Sequence, residues 1–107
     1  MIVVDGTKSR RVISFAGRMD AVGSAELEQI VTQELVNGYR DLVLDMSAVD
    51  YVSSKGLRML VSLWKRAHDV KGELILSALQ PAVQEVFNLI GFDLVFTIID
   101  SLDDNTL

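Results

Sequence analysis

The chain has 107 residues, of which half are hydrophobic and none is cysteine, and it carries a net charge of −5. This length leaves room for one domain, 1–107, and the lack of cysteine excludes disulfides and thiolate metal sites. The acidic balance opposes binding to nucleic acid, and no apolar run approaches a membrane-crossing length, so we expect a cytoplasmic protein without membrane insertion.

Hydrophobic periodicity and turn residues predict the elements of the first half of the chain. The expected elements are strands at 2–4 and 11–15, a helix from Ser24 to about Gly38, and a buried strand at 42–44. Two glycines and an aspartate mark residues 17–23 as an exposed loop, and Ser24 is the expected N-cap. The buried strand ends at Asp45 and leads into a loop that finishes near Ser53.

Helices and strands alternate in the second half. The expected elements are a long helix ending near Val70, a strand at 74–77, a helix from Pro81 to Gly91, and a strand at 95–99. Pro81 suits a first helical position because its missing N–H would have no partner there. Residues 100–107 fit either a short helix or a frayed tail. The inner face of the third helix is expected to carry Val83, Val86, Phe87 and Ile90.

This order predicts an α/β fold. Repeated strand–helix–strand units connect through right-handed crossovers, which give a largely parallel sheet. The opening strand would pair antiparallel with the second strand. We therefore expect a mixed, mostly parallel sheet of about five strands, with three main helices packed against it.

The most informative segment for function is Asp50-Tyr51-Val52-Ser53-Ser54-Lys55-Gly56-Leu57-Arg58, where a loop meets the second helix. Helix N-termini expose unpaired N–H groups, so a serine there can act as a cap, and backbone donors would stabilise its phosphate. Gly56 lowers helix propensity by about 1 kcal/mol relative to alanine. A glycine at this position therefore indicates that another backbone or a kinase approaches the helix closely here. From the residues alone, Ser54 is either a cap or a switch.

The second helix presents two faces with different compositions. The expected core face carries Leu57, Leu60, Val61, Trp64, Ala67 and His68. The flank combines Met59, Leu63 and Val70 with Lys55, Ser62 and Arg66. Such a mixture is typical of a surface that binds an acidic protein, although isolated exposed apolar residues are also normal.

The remaining chemistry-bearing residues have structural interpretations. His68 is the only histidine, and its place on the apolar face favours a core role over a catalytic one. Asp45 and Asp50 flank a loop, where turn and capping roles are favoured over a metal or acid–base pair. We expect no catalytic residue, no metal and no cofactor, and therefore no enzyme.

Four segments together resemble the STAS family, the sulphate-transporter and anti-sigma-factor-antagonist domains, and in particular the single-domain anti-sigma factor antagonists of bacteria. The resemblance spans nearly the whole chain. It is carried by Gly17-Arg18-Met19-Asp20, by Leu44-Asp45-Met46-Ser47 with Val49-Asp50-Tyr51-Val52, by Ser53-Ser54-Lys55-Gly56-Leu57, and by Pro81-Ala82-Val83.

The resemblance implies regulation by partner switching. The family's phosphoacceptor, the serine two positions before the glycine, corresponds to Ser54. The unphosphorylated form binds an anti-sigma factor, often itself a serine-protein kinase, and a phosphatase of the PP2C type resets the system. Phosphorylated members commonly have aspartate where this chain has Ser53, and often a small residue in place of Arg58. Ser53 is therefore a competing site, although a role as a helix cap or as a neighbour of the acceptor is favoured for it.

The partner is expected to dock where the first and second helices begin. The assigned residues are Asp20, Ala21, Val22, Ser24, Ser53, Lys55, Gly56, Arg58, Met59 and Ser62. We expect a monomer or a weak dimer. Two alternatives remain, namely an unphosphorylated STAS subunit of a transporter or other multiprotein assembly, and a sensor that binds a nucleotide or lipid at the helix N-terminus.

Overall fold

Strands and helices alternate along the chain in the computed structural model, which describes residues 1–6 and 10–101. The elements are β1 (Ile2–Gly6), β2 (Arg11–Met19), α1 (Ala21–Val36), β3 (Asp41–Val52), α2 (Ser54–Asp69), β4 (Glu73–Ser77), α3 (Pro81–Leu89), a 3₁₀ turn (Phe92–Leu94) and β5 (Thr97–Ile99). The predicted order of strands and helices is confirmed, and Pro81 opens α3 as expected.

The five strands form one sheet in the order β1-β2-β3-β4-β5. β1 pairs antiparallel with β2, and the other neighbours pair in parallel. Buried side chains of all three helices join one cluster with alternate residues of the central strands, so the helices pack on the same face of the sheet. The predicted α/β fold with a mixed, mostly parallel sheet is confirmed.

The hydrophobic core lies between that face and the helices. Side chains alternate across a strand, so every second residue of the central strands points towards the helices. The cluster includes Leu42, Leu44, Leu74 and Leu76 from the strands and Leu27, Leu60 and Phe87 from the helices. Within the described ranges, no helix combines the length and hydrophobicity that crossing a bilayer requires.

Two segments predicted as loops are regular structure. Residues 17–19 continue β2 and α1 begins at Ala21, so the exposed loop at 17–23 is wrong. β3 likewise does not end at Asp45 but runs to Val52. The two extensions pair with each other, with register shifts between Ser14 and Ala16 and between Gly17 and Arg18. Such irregularities disturb the alternation of buried and exposed residues by which a strand is recognised.

The end of the chain also differs from expectation. Val86 and Ile90 are 42% and 47% exposed, so their predicted inward orientation is wrong, whereas Val83 and Phe87 are buried. The rings of Phe92 and Phe96 lie 5.5 and 6.4 Å from that of Phe87 and orient this stripe of α3 towards the core. β5 starts at Thr97 rather than Val95. Residues 102–107, predicted as a helix or tail, lie outside the described residues.

Candidate functional site

The helices α1 and α2 begin side by side. Met19 and Val52 end β2 and β3, and they are register partners in the sheet. Since α1 and α2 each follow closely after these residues, their first turns meet at the same edge of the sheet. This edge holds the carboxyl ends of the parallel strands β2 and β3.

Asp20 caps α1. Its Oδ1 accepts a hydrogen bond from the N–H of Gly23 at 3.0 Å, and its carbonyl accepts one from the N–H of Ser24 at 2.8 Å. The prediction of Ser24 as the N-cap is therefore wrong, because Asp20 offers an acceptor one turn earlier. Ser24 lies inside the first turn, 4% exposed, and its hydroxyl has no hydrogen-bond partner among the described residues.

Ser53, not Ser54, caps α2. The Oγ of Ser53 accepts from the N–H of Gly56 at 3.1 Å and donates to the carbonyl of Met19, also at 3.1 Å. That carbonyl accepts from the backbone N–H of Ser53 as well, at 3.0 Å. Both hydrogen-bonding functions of this half-buried hydroxyl are thus occupied within the fold.

Ser54 is the first residue of α2 and is exposed. In the part of the chain that the structure describes, its side chain makes no hydrogen bond. A cap role for Ser54 is wrong, because the neighbouring serine already fills it. Its hydroxyl is accessible to an enzyme or a partner at the tip of the helix.

Gly56 brings the first turn of α2 against the rest of the fold. A Cβ at this position would lie 2.7 Å from the carbonyl oxygen of Met19, 2.9 Å from a methyl of Val52 and 3.2 Å from the Oγ of Ser24. The backbone that approaches this buried glycine therefore belongs to β2 of the same chain. This contact accounts for the glycine without the approach of a kinase, which stays a prediction.

An open groove of about 450 Å³ runs between the first turns of α1 and α2. It is lined by Ala21, Ser24, Ala25, Glu28, Lys55, Arg58, Met59 and Ser62. Six of these belong to the predicted docking surface. Of the other four predicted residues, Asp20 and Ser53 are the two caps, Gly56 is buried, and Val22 is 78% exposed. Ala25 and Glu28 were missed, although they follow Ala21 at helical spacing.

A family model described as the STAS domain matches residues 1–105. The chain belongs to the STAS family. The family that the sequence resemblance indicated is therefore confirmed.

Relatives within the STAS family carry names that refer to anti-sigma factors. BtrV of Bordetella bronchiseptica, a candidate anti-sigma factor antagonist, is 32% identical over 100 residues, which cover 94% of this chain and 86% of BtrV. RsfB of Mycobacterium tuberculosis, an anti-sigma-F factor antagonist, is 28% identical over 94 residues, or 87% of this chain and 75% of RsfB. The crystal structure of an anti-sigma factor antagonist from Mycobacterium paratuberculosis has a TM-score of 0.85 at 29% identity, over 97% of this chain and 88% of the other.

The buried face of α2 in this STAS domain differs from the predicted one. Met59 and Leu63 are 6% and 0% exposed, so their placement on a surface flank is wrong. His68 is exposed and stacks on Trp64 with ring centroids 4.2 Å apart, so its predicted core position is also wrong. The reason is that α1 packs along α2. This contact buries the side of α2 that faces α1, so the buried residues of α2 are Gly56, Met59, Leu60, Leu63 and Ala67.

The charges at the groove are unevenly paired. Lys55 and Arg58 are exposed and make no hydrogen bond or ion pair with any residue described in 1–6 or 10–101. Glu28 lies further from the helix N-termini, since it also lines a second surface pocket together with Thr32 and Arg66. Among those residues, no three histidine or acidic side chains form a group that could hold a metal ion. The start of the groove is thus a basic patch on an acidic protein.

Proposed function

We propose that this STAS domain is an anti-sigma factor antagonist whose complex with an anti-sigma factor is weakened by phosphorylation of Ser54. The observation that carries the proposal is the hydroxyl of Ser54, which is exposed at the start of α2, next to the groove, and has no hydrogen-bond partner among the described residues. The names of BtrV and RsfB support the choice of partner class. In this proposal the protein acts in the cytoplasm and is not an enzyme, because a serine-protein kinase and a phosphatase supply the chemistry.

The docking surface would combine the groove with its rim. Lys55 and Arg58 supply positive charge, and Met59 supplies the apolar floor. A mixed surface of this kind suits a partner that presents acidic and apolar side chains. Phosphorylation of Ser54 would add a charge of about −1.5 to −2 at the edge of this contact. Repulsion of acidic side chains and desolvation of the phosphate would then weaken the complex.

Ser54 is favoured over Ser53 as the phosphoacceptor because of what each hydroxyl does in the fold. The Ser53 hydroxyl would have to break its bonds to Gly56 and Met19 before it could accept a phosphoryl group. Loss of an N-cap typically costs about 1 kcal/mol of stability. Ser54 can be modified without such a loss.

The phosphorylation site is tested by incubating the protein with its cognate anti-sigma factor kinase and ATP, followed by mass spectrometry. Wild type is expected to carry phosphate on Ser54, and Ser54→Ala to carry none. Ser53→Asn is the matched control, because an asparagine amide caps helices well and can both accept and donate hydrogen bonds. It should be phosphorylated like wild type. Equal phosphorylation of wild type and Ser54→Ala would contradict the assignment.

The regulatory function is tested by competition with a sigma factor for the anti-sigma factor. Unphosphorylated protein should release the sigma factor, and Ser54→Asp should need at least about ten times more protein for the same release, which is 1.4 kcal/mol in binding. Ser54→Ala should behave like wild type. A stable complex that Ser54→Asp leaves unchanged would instead support a constitutive subunit of a transporter or other assembly.

A further inference from the structure

We propose that the phosphoryl group on Ser54 is bound by Arg58, one helical turn further along α2, and that this pairing withdraws Arg58 from the groove between α1 and α2. The inference depends on the proposed function for the choice of Ser54 as acceptor. It adds the means by which a modification at the helix tip would change the docking surface itself.

The spacing of the two residues supports the pairing. Ser54 and Arg58 both lie within α2, four positions apart. Residues at this spacing are neighbours on one helix face, and an acidic group N-terminal to a basic one is the favourable orientation. Both side chains are exposed, so a phosphoryl group and a guanidinium could meet without displacing a packed residue.

Arg58 is available for this contact. It makes no hydrogen bond or ion pair elsewhere in the described chain, and the planar guanidinium can bind two phosphate oxygens at once. Lys55 is equally free but follows Ser54 by a single position, and residues at that spacing point in different directions. The two cations therefore differ in geometry although each contributes one positive charge.

The pairing is specific to one serine. Four positions after Ser53 the chain has Leu57, which is half-buried and apolar and whose side chain has no donor or charge that could bind a phosphate. The cation is thus placed for Ser54, whose hydroxyl has no partner in the described part of the chain, and not for the serine that caps the helix.

The groove would change when Arg58 turns towards Ser54. Arg58 lines the groove beside Met59, which is 6% exposed, and opposite the buried Ser24. Without the Arg58 guanidinium, Lys55 and Glu28 would be the charged residues left along this groove, so the net positive charge of its lining would be lost. An acidic partner would then lose its attraction to the groove in addition to meeting a phosphate at the rim.

The test uses the full chain with phosphoserine incorporated at position 54 during translation, so that no kinase is needed. The second pKa of the phosphate is measured by ³¹P NMR titration in this protein and in the same protein with Arg58→Ala, Arg58→Lys or Lys55→Ala. A paired guanidinium favours the dianion, so Arg58→Ala should raise the pKa by about 0.3 to 0.7 pH unit. Arg58→Lys should restore part of the difference.

Lys55→Ala is the matched control, because it removes the same charge from the same helical turn, one position from Ser54 instead of four, and should raise the pKa distinctly less. Equal effects of Arg58→Ala and Lys55→Ala would overturn the pairing and leave only a general charge effect.

The Met59 methyl resonance gives a second readout. It should shift on phosphorylation in wild type and much less in Arg58→Ala, and a shift of the same size in both would refute withdrawal from the groove. Failure of a kinase to modify Ser54 would contradict the proposed function. It would not change the pKa and NMR results on the protein with phosphoserine at position 54.

Discussion

The hydroxyl of Ser53 donates a hydrogen bond to the carbonyl of Met19 at 3.1 Å, although the two residues are 34 positions apart. This bond fastens the start of α2 to the end of β2. Together with the cap on Gly56, it fixes the relative position of the two helix N-termini that form the groove. Ser53 therefore has a structural role, whereas the adjacent Ser54 is exposed at the surface.

Replacing the two serines should separate these roles. Ser53→Ala removes the N-cap and the bond to Met19, and should lower the free energy of unfolding by about 1 to 2 kcal/mol. Ser54→Ala removes an exposed hydroxyl without a partner in the described chain, and should change it by less than about 0.5 kcal/mol. Urea denaturation of both variants checks this. Equal losses would show that the cap has been assigned to the wrong serine.

Gly56→Ala should destabilise the protein despite the better helix propensity of alanine. The added Cβ would lie 2.7 Å from the carbonyl of Met19, and the backbone there cannot move freely. We expect a net loss of about 1 to 3 kcal/mol, since overpacking outweighs the gain in propensity. Lys55→Ala, in the same turn but exposed, is the control and should be nearly neutral. An increase in melting temperature for Gly56→Ala would show that the first turn of α2 is not packed this closely against the end of β2.

Ser24→Ala should not destabilise the fold. The buried hydroxyl of Ser24 lacks a hydrogen-bond partner within residues 1–6 and 10–101, so its removal takes away a desolvation penalty and no bond. The free energy of unfolding should stay the same or rise by up to about 1 kcal/mol. Chemical denaturation measures the change, with Ser53→Ala as the contrasting case of a bonded serine. A loss comparable to that of Ser53→Ala would reveal a bond made by this hydroxyl.

The turn after α2 should respond in opposite directions to changes at neighbouring positions. Lys71 has a φ of 61°, which is strained for a residue with a Cβ, so Lys71→Gly should stabilise the protein by about 0.5 to 1 kcal/mol. Gly72→Ala should destabilise it, because the new Cβ would overlap the carbonyl oxygen of Arg40. Thermal unfolding of the two variants tests this. Melting temperatures that move in the same direction would contradict the conformation of the turn.

The sequence alone determined the order of the elements, the mixed sheet and the segment around Ser54. These features depend on local signals, such as the short apolar runs at 42–44 and 74–77 and the proline that opens α3. Such signals act between residues a few positions apart. The family resemblance rested on the same short segments, and the match to the STAS model confirms it.

Only the tertiary structure decided that Ser53 joins the start of α2 to the end of β2, and which face of α2 is buried. The Ser53 hydroxyl donates to the carbonyl of Met19, and the burial of Met59 and Leu63 depends on α1, so neither partner is near in sequence. The pairing of the second halves of β2 and β3 likewise needs both strands in place. Contacts between distant residues form only when the chain has folded, and a local pattern carries little information about them.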